Sequence, residues 1–444
     1  MSYPSAKSWA RLEFQGRVTE RHEASAFAAV YVRLDEPGRS SGPLLLHYGK
    51  EGRVVEEQVL AHTQALTKTD SPFQIEVVRD IDRFNSIEAE WDSLVDRSGV
   101  DRLLLSHTWF RTWWEAFSKD ERLHVITVRS GSRLVAAAPM MRMQTNIYGF
   151  RAESLHAIYN PHTPRCDFIV QNDQGPPVYE AVWRELVADT SCDVIVLAQI
   201  PEESRTIPAM EGVARRHGWL SGQWAAPASP FLSLGCDYET YFSSLRAGCR
   251  FNLTKRHARL MRLGPVDLET VTRRDDVEDA MRDGLRIEAA AWKGEKGTAM
   301  ISDPSVVKFY AQLAQREADL GQLRLTFLRA AGKRIAFNYL LQNGKKLYAV
   351  KIGYDPQYHA YSPGNMLLNL ILKDACRRGV AEYDLLGGDD EWKFDWTKET
   401  RTHRWLFLFR DRLWPRMLHQ LKFRLVPTLK GFCRAVYERP VGRL

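Results

Sequence analysis

The chain has little of what would tie it to an oxidising compartment, a membrane span or a nucleic acid. Its six cysteines (Cys166, Cys192, Cys236, Cys249, Cys376 and Cys433) are scattered, with no C-x-x-C pair. That usage argues against a disulfide framework and a zinc site, and it fits free thiols in a reducing cytoplasm. Long apolar runs are missing too: none approaches the roughly eighteen residues of a membrane span. Arg11, Glu13, Arg17, Glu20, Arg21 and Glu23 interrupt any secretion-signal core in the first thirty residues. Acid is scarce in one place. From Arg410 to Leu444 nine basic residues face only Asp411 and Glu438, so this tail carries the whole net charge of +7. The remainder is near neutral, which is not the pattern of a nucleic-acid-coating protein.

What is present suits a soluble globular chain. At 444 residues, 44% hydrophobic and 26% charged, it is long enough for two domains with extensions. Residues 1–72 show no sustained period; a hairpin over 27–60 is expected there, and no role. Residues 73–80 alternate like a strand, and 84–98 and 103–117 have helical spacing. Two hairpins follow one plan. LHVITVRSGSRLVAAAPMM (123–141) and LRLTFLRAAGKRIAFNYLL (323–341) each run from an apolar strand through a glycine turn into a small-apolar strand. Aligned by eye, Arg129, Gly131, Arg133 and Leu134 match Arg329, Gly332, Arg334 and Ile335. Each hairpin follows a helix with an acid and tryptophan, Glu115 in one and Glu288 with Trp292 in the other. A tandem duplication follows from this, with a first domain over 73–235, a second over 236–410 and a basic tail over 411–444.

The stretch Leu347–Trp396 carries the chemistry. It reads as a strand, a Ser-Pro-Gly turn, an amphipathic helix, a second strand and a Gly-Gly-acidic loop. Ser362, Pro363, Gly364 and Asn365 open the helix, and a helix start of this kind offers unpaired N–H groups and positive potential to a phosphate. The same residues also suit a serine-capped helix without a ligand. The first half has no such turn, so one cofactor site is expected.

Four segments, FNLTKRHARL (251–260), EAAAWKGEKGTA (288–299), KIGYDPQYHAYSPGNMLL (351–368) and YDLLGGDDEWKFDW (383–396), resemble the GNAT-like acetyltransferase domain of the CelD/BcsL type. That type is associated with cellulose and exopolysaccharide loci, and it is related to the Fem-type transferases. The resemblance spans roughly residues 75–412. It implies an α/β fold of mixed sheets, as tandem GNAT-like domains with a basic helical tail. It also implies transfer of an acyl group from acetyl-CoA or a longer acyl-CoA to an amine, without a metal. Two departures stand out. His359, Ser362 and Gly364 occupy the Q/R-x-x-G-x-G/A positions, and Trp392 and Trp396 lie where many relatives place a tyrosine acid.

On this resemblance, Glu288, Asp355 and Asp389 are the candidate bases, and Lys351 lies near the thioester or the CoA phosphates. An ion pair of Lys351 with Asp355 or Asp384 is the structural alternative. Gly353, Tyr361, Ser362, Pro363, Gly364 and Asn365 would hold the cofactor, and an amide near Gly353 would steady the oxyanion. Asn252, Arg256, Trp292, Asp384 and Lys393 would meet the acceptor, though Lys393 also suits a pair with Asp389 or Asp390. The acceptor is expected to be an amine-bearing envelope precursor or lipid, with aminoacyl-tRNA-dependent transfer and a non-catalytic scaffold as alternatives. The amphipathic tail either docks on the domain or meets an anionic membrane at the inner face.

Overall fold

Apolar alternation builds two sheets. The computed structural model describes residues 72–290 and 299–428, so the hairpin expected over 27–60 lies outside the described residues. The strands are β1 (Phe73–Val78), β2 (Arg122–Ser130), β3 (Arg133–Ile147), β4 (Phe150–Ala157), β5 (Ile169–Val170), β6 (Val194–Pro201), β7 (Leu220–Ala225), β8 (Ser229–Ser233), β9 (Val266–Val271), β10 (Leu323–Ala330), β11 (Lys333–Asn343), β12 (Lys346–Tyr354), β13 (Glu382–Asp384), β14 (Thr400–Arg401) and β15 (His403–Phe409). One sheet runs β1-β2-β3-β4-β6-β15-β7, with β5 beside β3, and the other β9-β10-β11-β12-β13-β8-β14. The two orders correspond strand by strand. In each, the parallel contact is at the same place, β4 with β6 and β12 with β13.

The two hairpins share one register. Both hairpins carry a bulge at the same point, Val128/Arg129 and Leu328/Arg329, and pair Arg129 with Leu134 and Arg329 with Arg334. The turns are therefore Gly131-Ser132 and Ala331-Gly332, so Gly131 stands opposite Ala331 rather than Gly332. Positive φ falls at Gly131 (58°) in one, and at Ala331 (49°) and Gly332 (80°) in the other. A two-residue hairpin tolerates either pattern, which is why the glycine moved by one place.

Consecutive strands exchange between the sheets. β7 stays in the first sheet while β8 enters the second, and β14 stays in the second while β15 returns to the first. A cut at 235/236 therefore does not separate the sheets: β8 lies before it and β15 after it. Both are short apolar strands, and nothing in their pattern says which sheet they join.

Helices α1 (Ile81–Ser86), α2 (Glu88–Ser98) and α3 (His107–Phe117) precede β2; α4 (Pro176–Ala188) and α5 (Thr206–Arg216) flank β6; α6 (Tyr238–Ser244), α7 (Ala247–Leu260), α8 (Val277–Ala289) and α9 (Pro304–Asp319) precede β10; α10 (Pro363–Arg377) and α11 (Leu413–Gln420) follow. α3 and α9 each lead directly into a hairpin and pack on one another, Trp109 on Phe309 at 5.5 Å and Phe117 on Phe309 at 5.1 Å. Their buried residues belong to one core shared by both halves. The counterpart of α3 is thus α9, not the helix of Glu288. Glu115 pairs with Arg316 at 2.6 Å across this contact.

A buried ionic cluster joins the halves as well. Arg165 meets Asp101 at 2.8 Å and Asp384 at 2.5 Å, with Arg165 and Asp384 almost wholly out of water. Lys346 and Arg401 approach Asp384 at 3.3 Å each. Burial works to raise the Asp384 pKa, but Arg165 and Lys346 outweigh it and hold the carboxyl below its ordinary value. Arg165→Met is expected to lower the unfolding free energy by about 3–5 kcal/mol, because it takes from buried Asp384 its nearest counter-charge and leaves only Lys346 and Arg401. In urea titrations, adding Asp384→Leu should recover part of that loss; a strictly additive double variant would contradict the coupling.

Candidate active site

β12 and β13 pair only from Lys346↔Glu382 to Tyr348↔Asp384. β13 then ends, while β12 runs on to Tyr354. Its pairing with β11 skips Val350, since Tyr339 faces Lys351 and Leu340 faces Ala349. Such bulges bend a strand beside a site. The strands splay, and the gap is a cavity of about 680 Å³, a size that holds a small ligand.

One wall is the start of α10. Asp355 caps the short turn Pro356–Tyr361 through Gln357 N at 2.9 Å. Ser362 then takes a left-handed conformation (φ 49°, ψ 59°) and Pro363 begins the helix. A non-glycine residue there costs of order 1 kcal/mol. The serine does not recover that by capping: its side chain makes no cap hydrogen bond, and its Oγ accepts from Arg256 Nη1 at 2.5 Å. The first-turn amides of Gly364 and Asn365 have no acceptor within the helix, and both residues line the cavity. A Cβ on Gly364 would find only Tyr354, at 3.7 Å. Folding alone does not require glycine here, whereas a phosphate laid on the backbone would. Arg256 and the Arg259 guanidinium, 5.4 Å from the Tyr361 ring, add positive charge. The residues present fit a pyrophosphate.

The opposite wall gathers Glu288, Lys351, Tyr310 and, from the first half, Pro161, His162 and Pro164. Glu288 is 1% exposed, and its Oε2 accepts from Met300 N at 2.9 Å. Gly353 makes this possible: a Cβ there would lie 2.7 Å from Glu288 Cα. The Lys351 ammonium sits 5.1 Å from the Tyr310 ring, and His162 Nδ1 meets the Tyr310 hydroxyl at 3.1 Å. Burial, with Lys351 nearby, lowers the His162 pKa to about 4, so its imidazole is neutral at neutral pH. Burial also raises the Tyr310 phenol, which keeps its proton.

Glu288, Lys351, Gly353, Ser362, Pro363, Gly364, Asn365 and Lys393 therefore line one cavity. Other expectations are corrected. Asp384 is locked in the ionic cluster, and Asp355 is a cap. Lys393 donates to Leu386 O at 2.8 Å and Gly388 O at 2.6 Å and pairs with Asp390 at 3.0 Å; its three donors hold the Gly-Gly loop and leave none for an acceptor. Asp389 is exposed, and Asp390 lines the cavity in its place. Asn252 is exposed on α7, Gly353 both lines the cavity and packs on Glu288, Tyr361 ends the short turn Pro356–Tyr361, and Trp292 lies outside the described residues. Sequence reasoning missed His162, Tyr310, Asn338 and Trp392. A histidine between two prolines (Pro161-His162-Thr163-Pro164) was the one available signal.

Comparison with known proteins agrees with this layout. Residues 247–394 match the model of the acetyltransferase (GNAT) domain. FemX shares the fold at 11% identity and a TM-score of 0.50, over 75% of this chain and 98% of that one. A tandem GNAT protein from the clavulanic acid biosynthesis pathway aligns at 13% identity and 0.41, over 75% and 98%. A GCN5-related N-acetyltransferase from Sphaerobacter thermophilus aligns at 11% and 0.34, over 77% and 96%. No curated protein matches the sequence. The chain is thus a mixed α/β protein of two GNAT-like halves.

Two outcomes are expected. Gly353→Ala should destabilise the fold by about 1–3 kcal/mol in urea, since the α8 backbone has to move; an unchanged midpoint would refute the contact. Burial lowers His124, His162 and His403 to about 4 from 6.5, with Arg79, Lys351 and Arg165 respectively adding repulsion. Above pH 6.5 neither state binds these protons. Between 6.5 and about 4 the unfolded chain takes them up and the folded chain refuses them, so these three groups make stability fall as the pH is lowered across that window. Urea midpoints that stay flat from about pH 7 to about pH 4.5 would contradict the burial.

Proposed function

We propose that this protein is an N-acyltransferase that uses acyl-CoA as donor and an amine-bearing molecule, such as an envelope precursor or lipid, as acceptor. The observation that carries the reading is the single cavity with an anion-ready helix start on one wall and a buried carboxylate on the other. In this reading Gly364, Asn365 and Arg256 hold the pyrophosphate, and the part of β12 beyond its pairing with β13 runs alongside the pantetheine. Acyl-CoA would supply the acyl group as a thioester. Glu288 takes the proton from the acceptor ammonium and frees its lone pair for the carbonyl carbon. The Val350 amide at the bulge and the Lys351 charge oppose the negative charge that builds on the carbonyl oxygen. The C–N bond forms as the C–S bond breaks, and the thiolate leaves and is protonated. His162 of the first half and Tyr310 of the second orient the amine.

Titration calorimetry tests the donor. Acetyl-CoA or a long-chain acyl-CoA should bind, and preference between them reports the acyl length. Gly364→Trp should abolish binding with the urea midpoint unchanged, because only the cavity receives the side chain. Absence of binding by the native chain to either thioester would overturn the proposal.

A further inference from the structure

The end of the described chain is a helix with apolar residues on both its inner and its outer side. Lys422, next to α11 in the turn Leu421–Leu425, is buried, its ammonium 3.3 Å from the Trp224 ring and 4.1 Å from that of Phe407. Phe423 packs on the same sheet, so closely that a Cβ on Gly222 would meet its ring at 2.5 Å. The cation thus faces the protein while apolar residues face outward: Leu413 is 79% exposed, Leu425 57% and Met417 54%. Pro415 and Leu418 dock the helix from its inner side, so Leu413, Met417 and Leu425 are apolar surface beyond what docking uses.

The outward face continues onto the tip of the β3–β4 hairpin. Phe150, itself exposed, meets Trp414 edge to face at 5.7 Å. Phe150, Leu220, Trp414, Met417, Leu421 and Leu425 line an apolar depression of about 540 Å³. Exposed Arg151, Arg412, Arg416 and Arg424 surround it. The one acid on this stretch, Asp411, is taken up by Arg416. Apolar patches of this sort on a protein surface mark interaction sites.

We propose that this face seats on an anionic lipid bilayer, with Leu413, Met417, Trp414 and Phe150 entering the interface and the arginines meeting lipid phosphates. Charge selects that occupant. A second copy of the chain would bring the same ring of arginines against this one. Residues 429–444 would bring Lys430, Arg434, Arg439 and Arg443 against Glu438 alone, which again adds like charge. An anionic bilayer answers both the apolar centre and the basic rim. The inference stands apart from acyl-CoA binding.

Co-sedimentation of the full chain with phosphatidylcholine vesicles, with and without phosphatidylglycerol, tests it. The chain should pellet with the phosphatidylglycerol vesicles, and high salt should weaken that binding. Leu413→Glu/Met417→Glu should lower partitioning by at least about tenfold, with far-UV circular dichroism and acetyl-CoA calorimetry as in the native chain. Both substituted residues are exposed, so folding is not at stake. Equal partitioning of native and variant chains, no preference for phosphatidylglycerol, or a lipid-free dimer that the double substitution dissolves would each overturn the proposal.

Discussion

Arg165 reaches out of the first half and ends on Asp384 in the second, and the position of the site depends on that contact. Asp384 closes the short pairing of β13 with β12, and the splay opens one residue later. Arg165 closes the loop that carries Pro161, His162 and Pro164 over the opening. A charge pair this deep is costly to desolvate. It is held because Asp101, Lys346 and Arg401 share the charge, and because His403, kept neutral by burial, accepts from Arg165 Nε at 3.2 Å. The pair is also a specificity device: it lets the duplicated halves meet in one register, with the loop of one over the cavity of the other.

Duplication without symmetry is the second theme. The sheets correspond strand for strand, yet only β12 is followed by a helix whose start faces a cavity. After β4 the chain makes no helix until Pro176, and the residues between are spent on the loop and on Arg165. One half supplies the helix-start wall of the cavity, and the other adds Pro161, His162 and Pro164 to the far wall. The exchange of β8 and β15 ties them, since neither sheet is complete without a strand from across the junction.

Much of this was legible in the sequence. The alternating runs at 123–141 and 323–341 gave the hairpins, and Ser362-Pro363-Gly364 gave the anion-ready turn, because both depend on neighbours in sequence. The strand exchange was not legible, since β8 and β15 have the same period whichever sheet they join. Asp384 and Lys393 looked functional because charged residues beside a glycine pair suggest a site. Only the fold reveals that Asp384 faces Arg165, 219 residues away, and that Lys393 is used by backbone carbonyls. His162 was hidden for the same reason: its relevance depends on a loop crossing between halves.

In the proposed function the donor lies in the β12–β13 splay and not in the matching first-half position. Amide hydrogen exchange with and without saturating acetyl-CoA measures this directly. Exchange should slow in β12 and the first turn of α10, with β4 unchanged. Slowed exchange along β4 instead, or none in either strand, would contradict this placement.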